Sequence, residues 1–167
     1  MPLEDIRNER LRKLAAYKAQ GLDPYPATVT RTFLIGDALK KFRKLVESGE
    51  VIALAGRIRA LREHGGLSFA DLEDASAKMQ LEFSQDALGQ SYGFFLKTAD
   101  IGDFIEVSGK LFKTQRGEKT LKASEWRILS KSLRPLPEKW HGLVDAEERL
   151  RKRYLDLIMD PEARGLF

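Results

Sequence analysis

The six residues Lys78-Met79-Gln80-Leu81-Glu82-Phe83 alternate polar and apolar. In an extended strand this sends Met79, Leu81 and Phe83 to one face and Lys78, Gln80 and Glu82 to the other. In the stretch just before it, Ala70 and Leu72 belong to the apolar face, while Leu67, Phe69 and Asp71 fall opposite. An aromatic ring, Phe69, is thus expected on an outer surface beside the amide of Gln80. That pairing suits unpaired nucleic-acid bases. The ring is a stacking platform worth about 1–3 kcal/mol per base, and the amide donates and accepts at a base edge. Arg57 and Arg62, on the strand predicted upstream, bring guanidinium groups that can reach phosphate or stack. A register slip of one residue would turn Phe69 inward, so alternation alone leaves base stacking and core packing both open.

Other chemistries find little support. The chain has no cysteine, which removes disulfides, thiolate zinc sites and cysteine nucleophiles together. Its two histidines stand apart; His64 reads as a solvent-exposed turn residue rather than a ligand, and His141, in a linker, as structural. No His, Asp and Glu cluster has metal-ligand spacing, and no glycine-rich loop has phosphate-binding spacing. No metal or cofactor is therefore expected on this stretch. The net charge of +4 and pI near 9.3 are compatible with a polyanionic partner, although such a balance is also common without one. With 43% hydrophobic and 32% charged residues, the chain reads as a charge-rich globular protein rather than a disordered one. No run approaches the ~20 apolar residues of a membrane span. The N-terminus lacks the pattern of a signal peptide. A cytoplasmic location is expected.

These side chains need a scaffold. Residues 3–20 read as a helix with a rough apolar stripe of Leu3, Ile6, Leu11, Leu14 and Ala15, the rest being largely basic, which is either a solvated face or a phosphate-contacting arm. Residues 22–32, with Pro24-Tyr25-Pro26, read as an extended linker, and 35–48 as a second helix. Strands follow at 51–62, 67–74 and 78–83. A helix is expected over 85–100, then strands at 102–113 and 118–129. Three strands, a helical connection and two strands make the pattern of the OB-fold, a five-stranded Greek-key barrel. The fold class is mainly β with flanking α-helices. The domains are a helical extension at 1–48, the barrel at 49–133, and a linker and helix at 134–167. Asp145 and Glu148 form a capping box that opens a helix over 146–159. The outer surface around strands two and three of such barrels takes oligonucleotides. A protein-interaction module, or a generic binder of single-stranded nucleic acid, is the alternative.

Two segments carry a resemblance. One runs from His141 to Ile158, His-Gly-Leu-Val-Asp-Ala-Glu-Glu-Arg-Leu-Arg-Lys-Arg-Tyr-Leu-Asp-Leu-Ile. The other runs from Gly109 through Lys113 and Gly117-Glu118 to Leu133-Arg134-Pro135-Leu136-Pro137. Lesser matches are Gly21-Leu22-Asp23-Pro24-Tyr25-Pro26, Ala55-Gly56-Arg57, and Ser68-Phe69 with Leu72-Glu73-Asp74. Together they resemble the bacterial class II lysyl-tRNA synthetases. The resemblance implies an N-terminal OB-fold that binds the anticodon loop of tRNA(Lys). It also implies a catalytic domain beginning after about residue 167, in which ATP and Mg2+ serve to attach lysine to tRNA. The full-length protein would be a homodimer, largely through that domain. This stretch alone is expected to be inactive and monomeric. The resemblance makes Phe69 the base-stacking ring, Gln80 the anticodon-reading amide, Glu125 the glutamate late in the fifth strand, and Arg57 and Arg62 the strand-one arginines. Its main recognition element is the central uridine of the anticodon. One departure is the first turn, Glu63-His64-Gly65-Gly66-Leu67, whose acidic start weakens phosphate attraction there.

Overall fold

A helix that buries an arginine opens the chain. The computed structural model describes residues 2–136 and 146–165, which fall into two packed units, Met1–Arg134 and Pro135–Phe167. In the first unit, α1 (Leu3–Ala19) buries Arg10 and Tyr17 rather than the expected apolar stripe, and Leu3 is largely exposed. The reason is the partners. Tyr17 stacks on Phe94, its ring centroid 5.7 Å away, and its hydroxyl accepts from Ile128 N–H at 3.0 Å. Arg10 donates to the carbonyls of Ser132, Arg134 and Ile101 at 2.8, 3.2 and 3.0 Å. Its charge is thus satisfied by groups that α1 itself does not contain.

The helix expected over 35–48 is two helices, α2 (Ile35–Lys40) and α3 (Phe42–Ser48), broken at Lys41. The break lets Ile35 and Ala38 of α2 and Leu45 of α3 all reach the core. Five strands follow the expected order. They are β1 (Val51–His64), β2 (Leu67–Glu73), β3 (Lys78–Ser84), β4 (Phe104–Lys113) and β5 (Lys119–Ser130). They close as β1-β2-β3-β5-β4, with β3 and β5 parallel and the other pairs antiparallel. Between β3 and β4 the expected single helix is again two, α4 (Gln85–Leu88) and α5 (Gln90–Thr98). Gly89 separates them at φ 55°, ψ −129°, a conformation that essentially only glycine adopts. Phe95 of α5 plugs the barrel by stacking on Phe83, with centroids 3.9 Å apart. Ser68, Ala70 and Leu72 of β2 and Met79, Leu81 and Phe83 of β3 are buried. The alternation therefore has the register read from the sequence, and each large apolar side chain so buried contributes roughly 1.5–3 kcal/mol.

Two carboxylates lace the N-terminal segment to the barrel. Glu106 of β4 accepts from Thr30 N–H and hydroxyl at 2.6 and 2.8 Å, and from Arg127 Nε at 2.9 Å. Asp74, in the β2–β3 turn, accepts from Ile35 N–H, Ser76 N–H, Ser76 hydroxyl and Ala77 N–H within 3.0 Å. Partial burial pushes the Asp74 carboxyl up, but these four hydrogen bonds outweigh it and hold the group below its ordinary range. A depressed folded pKa means stability that is fully present above the unfolded value of about 3.9 and lost as pH falls through the folded one. Asp74→Asn is thus expected to lower the urea midpoint at neutral pH, with a deficit that shrinks on acidification below about pH 4. A deficit of constant size across that range would show that the charge is not what matters.

In the second unit, the helix expected over 146–159 is α6 (Ala146–Arg151) and α7 (Arg153–Met159), followed by α8 (Pro161–Gly165). Lys152, at φ −112° and ψ 44°, leaves the helical basin and makes the break. Buried Asp156 accepts from Arg149 Nε and Arg153 at 2.8 and 2.7 Å. Pro137, His141 and the cap residue Asp145 lie outside the described residues.

Candidate nucleic-acid interface

A groove of about 1250 Å³ crosses the outer surface of β1, β2 and β3 and continues under the β4–β5 hairpin. Cavities for drug-sized molecules are roughly 300–1,000 Å³, so this one suits an extended ligand. The strand register puts its side chains in two rows. In one, Arg62 stands opposite Phe69 and Phe69 opposite Glu82. In the other, Asp71 stands opposite Gln80 and Gln80 opposite Thr120. Phe69 is half-buried, its ring open to the groove on the face away from the core. His64, in the first turn, is exposed with its ring centroid 6.4 Å from that of Phe69, and also lines the groove.

The polar groups here hold one another in place. Gln80 Nε2 donates to Thr120 hydroxyl at 3.0 Å, and its Oε1 accepts from Arg62 at 3.4 Å. Arg62 is anchored in turn by Asp71 at 3.0 Å. The amide is therefore fixed in orientation, with one N–H and part of its carbonyl still free for a base edge. Ordering these groups in advance removes much of the entropy cost of using them on binding.

Of the five residues singled out in the sequence, the structure brings Arg62, Phe69 and Gln80 together in this groove. Arg57 and Glu125 are elsewhere. Arg57 donates to Gly102 carbonyl at 3.0 Å and lies over the Phe104 ring at 4.3 Å. Burial, with Arg59 nearby, lowers its pKa. Glu125 is exposed opposite Ser108, just past an irregularity where β5 carries one more residue than β4. It does not line the groove. The carboxylate that does, besides Asp71 and Glu82, is Glu118, which follows the Arg116-Gly117 turn. Sequence reading missed Glu118 because a parallel β3–β5 pairing, invisible in local pattern, is what curls the hairpin over β3. Gly117, at φ 89°, makes the turn between the strands expected at 102–113 and 118–129.

Among the described residues, no group of three or more His, Asp and Glu side chains could hold a metal ion. Nor is any helix long and apolar enough to cross a membrane.

Comparison with known proteins agrees with the geometry. Residues 52–129 match the family model of the tRNA anti-codon type described as an OB-fold nucleic acid binding domain. Over 169 residues and all of this chain, the sequence is 46% identical to the lysine–tRNA ligase of Roseiflexus castenholzii, of which the match covers 35%. It is 47% identical over 166 residues to that of Carboxydothermus hydrogenoformans, covering 99% of this chain and 33% of the relative. It is 43% identical to that of one Dehalococcoides mccartyi strain, covering all of this chain and 34% of the relative. The chain thus spans about a third of the length of these curated relatives, their N-terminal third. Its barrel matches the OB-fold nucleic acid binding domain that this family model describes, and the whole chain is similar to the N-terminal third of lysine–tRNA ligases.

Proposed function

We propose that this chain recognises the anticodon loop of tRNA(Lys), with unpaired bases lying in the groove over β2 and β3. The observation that carries the reading is the outward ring of Phe69 beside a Gln80 amide already fixed by Thr120 and Arg62. Phe69 stacks a base. Gln80 reads an edge with donor and acceptor, as a uridine offers. Glu118, rather than Glu125, supplies the carboxylate that accepts from a base N–H. Arg62 takes an adjacent phosphate or stacks. In the full-length protein this recognition serves the attachment of lysine to tRNA in the cytoplasm. ATP and Mg2+ belong there to the two thirds of the ligase length that this match does not cover, as does most of a homodimer contact.

The test is a fluorescence titration with a lysine anticodon stem-loop, beside one whose central uridine is replaced. Tighter binding of the first is expected. Phe69→Ala should weaken it by about 1–3 kcal/mol with an unchanged circular dichroism spectrum. Equal binding of both stem-loops would reduce the groove to a generic single-strand site. Full affinity in Phe69→Ala would remove the stacking role.

A further inference from the structure

The row that holds Phe69 does not stop at the groove. Arg62 is opposite Phe69, Phe69 opposite Glu82, Glu82 opposite Lys122, and Lys122 opposite Lys110. Five strands thus contribute one line of side chains around the barrel. Neighbouring strands are about 4.8 Å apart, so along the curved sheet the backbone of Lys122 is about 10 Å, and that of Lys110 about 14 Å, from that of Phe69.

The Lys122–Lys110 pair is unusual in itself. Like charges directly opposite on neighbouring strands are destabilising. Both lysines are exposed, and among the described residues neither is in an ion pair, not even Lys122 with Glu82, next to it in register. Lysine on a strand often serves to blunt a free sheet edge, but that does not apply here. Lys110 has β1 on its other side, paired at Val51, and Lys122 has β3, paired at Glu82. Both sit inside a closed barrel with neighbours on each side. What would relieve two facing ammonium groups is a polyanion across them. The first hairpin attracts phosphate less, since its turn begins with the carboxylate of Glu63.

Building on the anticodon-loop reading, we infer that the RNA backbone leaves the base groove across β5 and β4, with Lys122 and Lys110 each holding a phosphate. The strand would then run perpendicular to the β-strands, away from the β1–β2 turn. The bases are read over β2 and β3, and the phosphates are held over β5 and β4.

The experiment is the salt dependence of stem-loop affinity for this chain, for Lys110→Gln/Lys122→Gln, and for Lys44→Gln/Lys97→Gln as a charge-matched control off the row. Each phosphate neutralised on a single strand contributes about −0.7 to the log–log slope. The first double variant is expected to lose about 1.4 of that slope while keeping its preference for the central uridine, and to unfold at a slightly higher temperature as the repulsion disappears. The control should keep the wild-type slope. An unchanged slope in K110Q/K122Q, with uridine preference intact, overturns this path while leaving the groove reading standing. An equal loss in both double variants overturns it as well, since the effect is then one of net charge. Absence of stem-loop binding by the wild-type chain at low salt would refute the groove reading, and the path with it.

Discussion

Lys131→Ala is expected to destabilise the chain by about 3–5 kcal/mol, the usual cost of removing one partner from a buried ion pair. Lys131 lies just past β5, its side chain fully buried. Its ammonium has three N–H groups, and all three are used, on Thr98 carbonyl at 2.8 Å and on the carboxylates of Asp100 and Asp103. Asp103 is fully buried too, and it also accepts from Ser132 and Asp100 N–H groups at 2.8 Å. Burial pushes the Asp103 carboxyl up, although Lys131 and the two backbone donors pull it down. Deleting the ammonium leaves burial less opposed. In the variant the carboxyl is raised further, so its cost appears above the unfolded pKa of about 3.9 and is largest at neutral pH. Urea unfolding at pH 7 and near pH 4 measures both parts. A loss below about 1 kcal/mol at pH 7 would mean that water or Lys13, which reaches Asp100 at 2.7 Å, replaces the lost partner.

Gly109→Ala should cost as much or more. A Cβ built at Gly109 would lie 1.9 Å from the carbonyl oxygen of Lys122 and 2.8 Å from its carbonyl carbon. The obstruction is backbone, so no side chain can swing aside. Overpacking of a core usually costs about 1–3 kcal/mol, and this contact is tighter than such cases allow. The position coincides with the β4–β5 irregularity, where Gly109 pairs with Ala123 and Ser108 with Glu125. The expected result is a loss of about 3 kcal/mol or more in urea unfolding, with a change in the amide spectrum concentrated in β4 and β5. A variant of near wild-type stability would show that the two strands can separate locally at little cost.

That irregularity also explains which parts of the interface could be read in advance. The order of the strands and the outward side of Phe69 follow from alternation, and the structure has both. Gln80 and Arg62 were reachable the same way, because β1, β2 and β3 are consecutive in the chain and pair in that order. Glu125 was not. One extra residue near Ser124 changes which side chains of β5 point where, and nothing local announces it. Glu118 depended on the parallel pairing of β3 with β5, between residues 40 apart in sequence, as in Gln80 to Thr120. Arg10 looked like one more solvated cation, since its acceptors are carbonyls 91 to 124 residues away. The break at Gly89 carried a signal in the glycine. The break at Lys41 carried none.

The parallel pairing of β3 and β5 is short, three residues on each strand from Gln80–Glu82 and Thr120–Lys122. It is also the place where the barrel closes on itself, between strands far apart in the chain. Gln80 and Lys122 stand on opposite sides of this seam. An RNA strand lying as proposed, from Phe69 to Lys110, would bridge this joint and act as a clamp on it. Recognition and closure would then reinforce each other. A ligand that fits would tighten the ring of strands, and a barrel whose joint opened would lose the spacing between Phe69 and Lys122 on which the proposed path depends.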